Sequence, residues 1–100
     1  MIRGTTPTHT FTLPFDASTF KTIRVIYSQG SEPTLVKTGD EVKASGNTLT
    51  VKLTQDDTLK FSTKSVVKIQ IRLLSHDGEA LASDIMCKSA LELLENEVIA

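Results

Sequence analysis

The sequence predicts an all-β fold: an antiparallel β-sandwich of immunoglobulin-like type with six to seven strands. Three observations carry that reading. Apolar and polar side chains alternate at period two through most of the chain. Turn signals built on Gly, Pro, Asn and Asp recur at intervals of roughly 8–12 residues. Strand patterns follow one another without long intervening helical periods, which leaves no βαβ rhythm.

The first strand is read in "THTFTLPF". His9, Phe11 and Leu13 point inward, while Thr8, Thr10 and Thr12 point outward. Pro14 ends it, because proline donates no ladder hydrogen bond, and directs the chain towards Phe15 and Phe20. Residues 1–7, punctuated by Gly4 and Pro7, are expected to form a mobile lead-in. "TIRVIYSQ" is the second strand, with Ile23, Val25 and Tyr27 inward. A turn at Gln29-Gly30-Ser31 leads to a weak third strand, "TLVKT". Val42 lies between two turn clusters and fits a short edge strand.

"NTLTVKLT" is the cleanest alternation, with Leu49, Val51 and Leu53 inward. Thr54 and Asp57 then match a helical-turn cap, so one turn is expected at 55–59, followed by Leu59 and Phe61 in the core. "VVKIQIRLLS" is a long strand with Val67, Ile69, Ile71 and Leu73 inward. Asp77-Gly78 signals a hairpin, and "LASDIMCKS" returns antiparallel. At the end, Ser89 and Glu92 form a capping-box pattern, and Leu91, Leu94 and Val98 share a helical face. A short C-terminal helix and a terminal strand bending at Ser89 are both compatible with this segment.

The chain has 100 residues, which suits one domain spanning 1–100. Its 11 basic and 12 acidic residues leave a net charge of −1, without the basic excess that nucleic-acid binding requires. Cys87 is the single cysteine, so no internal disulfide forms. No apolar run approaches the ~20 residues of a membrane-spanning helix. Arg3 is not followed by the apolar stretch of a signal peptide, so cytoplasmic synthesis is expected.

No residue set predicts catalysis, a metal or a cofactor. His9 and His76 lack a second ligand at zinc spacing. Asp56-Asp57 is explained by the positive end of a helical turn. Asp77 is explained by the hairpin, and Asp84 falls on the wet face of its strand. Cys87 shares a parity with Leu81, Ser83 and Ile85 and is expected to be a small buried apolar residue. Ser28, Ser62, Ser75 and Ser83 lack a nucleophile elbow. The chain is therefore expected not to be an enzyme.

The outward positions carry more. Arg24, Lys52, Lys68 and Arg72 lie on the polar sides of the best strands, with Ile26 and Leu74 at the same parity. If those strands are neighbours, Arg24, Ile26, Lys52, Lys68 and Arg72 form a protein-interaction face. The acidic residues Glu92, Glu95 and Glu97 would complement such a face on another copy.

The stretches "MIRGTTPTHTFTLPF", "LTQDDTLKF" and "DGEALASDI" resemble short prophage proteins of Gram-positive bacteria. The resemblance runs nearly end to end and implies a small virion structural or assembly component. Its partners would be other virion proteins or further copies of itself, with incorporation into a virion, and it transfers no functional residue. The competing class is a ligand-binding or carbohydrate-recognising sandwich. Sugar sites present exposed aromatics, whereas this chain has no Trp and its one Tyr reads inward.

Overall fold

The computed structural model describes residues 1–91, 98 and 99. Among the described residues, eight strands form two antiparallel sheets packed face to face, and one short α-helix lies in a crossover between them. The first sheet has the order β1-β5-β4: β1 is Thr8–Thr12, β4 Val42–Ser45 and β5 Thr48–Lys52. The second has the order β3-β2-β6, with β7 and β8 sharing the far edge of β6. Here β2 is Thr22–Gln29, β3 Glu32–Thr38, β6 Val67–Leu74, β7 Ala80–Ala82 and β8 Met86–Lys88. The chain changes sheet after β1, after β3 and after β5.

The inward parities of β2, β5 and β6 hold. Val25, Tyr27, Ile69, Ile71 and Leu73 from one sheet meet Leu49, Val51 and Leu53 from the other, and all are buried. Phe61 fills the space beside Tyr27, with ring centroids 6.1 Å apart. After Pro14, Phe15 and Phe20 stack at 5.2 Å and cover one end of the core.

Two strands differ from their expected limits. β3 starts at Glu32 and includes Pro33, earlier than "TLVKT" suggests. It is an edge strand, where a missing N–H is tolerated. The register slips between Tyr27 and Ser28, so that Ser28 faces Pro33. Gly30, the first residue of the two-residue turn, has φ 79°, which suits a type II′ hairpin. The returning strand after Asp77-Gly78 is split into β7 and β8. At the break, Ser83 hydrogen-bonds Ile71 through both its N–H and its hydroxyl, and this split accounts for the eighth strand.

Residues 1–7, expected to be a mobile lead-in, carry several hydrogen bonds. Ile2 bridges Leu91, and the Arg3 guanidinium donates to the Phe61 and Leu59 carbonyls. Thr58 donates from its hydroxyl to the Thr5 carbonyl at 2.9 Å, and Leu53 N–H donates to Pro7. Residues 92–97 of the expected C-terminal helix lie outside the described residues.

The helix α1, Gln55–Leu59, closes the crossover from β5 to β6. Its capping box matches the sequence: Asp57 N–H donates to Thr54 Oγ1 at 3.1 Å, and Thr54 N–H donates to Asp57 Oδ2 at 2.8 Å. The same carboxylate accepts from Lys37 Nζ at 2.7 Å. Glu41 adds a second, more exposed partner to Lys37 at 3.3 Å. The Lys37 and Asp57 side chains are only 8% and 10% exposed, so each charge depends on the other for compensation.

Removing one partner strands the other charge. Lys37→Met is expected to lower unfolding stability by about 3 kcal/mol in urea titration. Thr54→Ala, which removes one half of the cap, should cost about 1 kcal/mol. A Lys37→Met loss no larger than the Thr54→Ala loss would refute the structural role given to the pair.

Candidate interaction face

The outer side of the five-stranded sheet brings together four of the five residues expected there. Arg24 and Ile26 project from β2, and Lys68 and Arg72 from β6. The register sets Arg24 directly opposite Arg72, Ile26 opposite Gln70, and Ser28 opposite Lys68. Lys52 is a correction to the expected face. It lies on β5 in the other sheet, because alternation determines which way a side chain points but not which strand is its neighbour.

Two shallow hollows mark this face. One, about 270 Å³, is lined by Thr22, Arg24, Arg72, Leu74 and Ala80 among others. The other, about 280 Å³, lies between Ile26, Ser28, Pro33, Lys68, Gln70 and Ile85. Val36 sits opposite Ile26 on β3 and is 40% exposed, and Ile85 is 58% exposed. Aliphatic surface therefore runs beside a cationic end.

The electrostatics at that end are unfavourable in isolation. Like charges directly across an antiparallel pair repel. The lateral neighbours in register are Thr38 beside Arg24 and Ala82 beside Arg72, neither of them acidic. Among the described residues, the ion pairs involve Lys37 and leave both arginines without a carboxylate.

The other singled-out residues fall elsewhere. Cys87 is exposed on β8 opposite Lys68, not buried. The break at Ser83–Ile85 inverts the alternation: Met86 pairs with the inward Ile69, and Cys87 pairs with the outward Lys68. Leu81 and Ile85, of the same parity, are exposed with it. His76, Asp77 and Asp84 are exposed. Among the described residues, no three His, Cys, Asp or Glu side chains are grouped to hold a metal ion. No described helix is long and apolar enough to cross a membrane.

His9 has a structural partner. Its Nδ1 lies 2.8 Å from the hydroxyl of the fully buried Tyr27, a hydrogen bond joining the two sheets. Burial lowers the imidazole pKa below its ordinary 6.5, and the positive charges of Lys88 and the N-terminal amine lower it further. Burial raises the Tyr27 phenol pKa, and the Asp57 carboxylate reinforces the shift. For Asp57, burial opposes ionisation, but hydrogen bonds from Lys37 and Thr54 outweigh it and the pKa is lowered. For Lys37, burial opposes the charge, but the Asp57 and Glu41 carboxylates outweigh it and the pKa is raised.

Lys37 and Glu41 are the residues that sequence reasoning missed. The signal was the shared parity of Leu35 and Lys37, which places a lysine inward.

No protein-family profile, curated protein or solved structure matches the chain.

Two outcomes follow from these electrostatics. Arg72→Glu turns the cross-strand repulsion into attraction and should raise stability by about 0.5 kcal/mol at low salt, an effect that added salt removes. For His9, the unfolded chain takes up a proton at higher pH than the folded one. Its contribution is therefore present above pH 6.5 and is lost as pH falls through the lower folded value. The thermal midpoint should decline between pH 7.5 and 5, and His9→Gln should flatten that decline. An unchanged slope in His9→Gln would assign the pH dependence to another group.

Proposed function

We propose that this chain is a non-enzymatic structural or assembly protein that docks onto another protein through the outer face of its five-stranded sheet. The observation that carries the reading is the Arg24–Arg72 pair: two exposed arginines set opposite each other in register, without a described carboxylate, on a face that also exposes Val36 and Ile85. Arg beside aliphatic surface is the composition of an interface core and rim. The partner that fits presents carboxylates flanked by apolar side chains, since a guanidinium pairs bidentately with a carboxylate.

The resemblance to prophage proteins supports placing that partner in a virion, as another virion protein or a further copy. Strand order supports an immunoglobulin-like classification. Giving β1 to β6 the places B, C, C′, D, E and F, with β7–β8 as G, yields B-E-D on one sheet and C′-C-F-G on the other. The carbohydrate reading has less support, because Tyr27 is fully buried and offers no ring to a sugar.

The test is a pull-down with the tagged chain against the products of the genes beside its own, followed by mass measurement in solution. Wild type should retain a partner or self-associate. The Arg24→Glu, Arg72→Glu double variant should lose that association by tenfold or more, given about 1.4 kcal/mol or more from the desolvated charge pairs. Retention of all partners by the folded double variant would reject this face.

A further inference from the structure

The two sheets differ in width. Across the second run β3, β2, β6 and then β7 with β8, while the first has only β4, β5 and β1. The narrower sheet stops at β1, on the β8 side of the sandwich. The N-terminal amine donates to the Ser89 carbonyl just after β8, and its charge and that of Lys88 both reach His9. The second sheet therefore projects past β1 and leaves a step one strand wide.

The wall of the step is a row of backbone groups. Leu13 N–H donates to the Asn47 carbonyl at 2.7 Å, and Leu53 N–H donates to the Pro7 carbonyl at 2.9 Å. In that register the odd-numbered residues of β1 bond to β5. The N–H and C=O groups of Thr8, Thr10 and Thr12 point the other way, and no described residue bonds to them. Residues 4–15 contain no Lys, Arg, Asp or Glu. By contrast β3 carries Glu32 and Pro33, β4 carries Lys43 and β8 carries Lys88, side chains that discourage strand pairing.

The floor of the step is apolar. Leu81 of β7 pairs with the inward Leu73 and points into the sandwich, yet it is 42% exposed where Leu73 is 4%. Met86 pairs with the inward Ile69 and is half-buried, as are His9 and Phe11 on β1.

We infer that the open edge of β1 is a strand-addition site, which takes one extended segment of another protein, antiparallel to β1, as the fourth strand of the first sheet. Its backbone would pair with Thr8, Thr10 and Thr12, and aliphatic side chains at alternate positions would cover Leu81 and Met86. Residues 1–7 do not fill the place, because they leave β1 towards Thr58 and Leu59. A second copy does not fit it either. Pairing β1 with β1 would bring two projecting β7–β8 edges into the same space.

The probe is a fluorescein-labelled peptide, KTVTVTVTK, titrated by anisotropy against the full chain. Wild type should bind it, and KTVTPTVTK, interrupted by proline, should not bind. Thr10→Pro removes an N–H that points away from β5, so the chain keeps its ladder and loses the added one. It should weaken binding by roughly tenfold or more. Leu81→Asn should weaken it as well. On hydrogen exchange, the peptide should protect the Thr8, Thr10 and Thr12 amides and leave His9 and Phe11 unchanged. Urea titration confirms that each variant is folded. Absence of binding at millimolar peptide, or equal binding by folded Thr10→Pro, overturns the proposal. A wild-type dimer abolished by Thr10→Pro overturns the choice of occupant. The Arg24→Glu, Arg72→Glu variant should bind the peptide like wild type, so the arginine face is tested separately.

Discussion

The ion pair between Lys37 and Asp57 constrains much of the rest of this fold. An ammonium on the inward side of β3 is tolerable only with a carboxylate at hydrogen-bond distance, since an unpaired buried charge is among the costliest defects a core can hold. Asp57 reaches that place because α1 forms immediately after β5, and α1 starts there because Thr54 and Asp57 cap each other. One carboxylate thus satisfies the helix N-terminus and the buried lysine together. The crossover between the sheets is thereby fastened to the free edge of the second sheet.

Several other contacts are built on the same turn. Thr58, fully buried, ties the N-terminal residues through the Thr5 carbonyl, and Arg3 donates to the carbonyls of Leu59 and Phe61 at the far end of the helix. Phe61 is then delivered beside Tyr27, whose hydroxyl meets His9 across the sandwich. A chain with one cysteine and few aromatic residues thus ties its two layers together with a small polar network inside an aliphatic core. Such a network depends on each member having a partner, and no buried side-chain polar atom among the described residues lacks one.

The contrast with the sheet exterior is electrostatic. Inside, a single lysine has two carboxylates arranged around it; outside, two arginines face each other with none. Water makes the difference affordable, because screening limits the repulsion of exposed charges while burial magnifies that of enclosed ones. A surface arrangement that folding does not need is the natural place to look for an external partner. The open edge of β1 is of another kind, presenting neutral backbone groups whose pairing is little affected by salt.

What could be read from the chain alone was whatever depends on neighbours in sequence. Period-two alternation gave the inward sets of β2, β5 and β6, because side-chain direction in a strand is a local property. Thr54–Asp57 and Asp77-Gly78 were legible as a cap and a hairpin for the same reason. Tertiary structure decided what depends on residues far apart. Lys37 could be read as inward by parity, but only folding supplies Asp57, twenty positions later, to make that acceptable. Lys52 had the correct outward direction and the wrong sheet, since alternation carries no information about strand neighbours. Cys87 faces outward because Ser83 bonds back to Ile71 and breaks the strand, which inverts its alternation, a contact between distant residues that local pattern cannot encode.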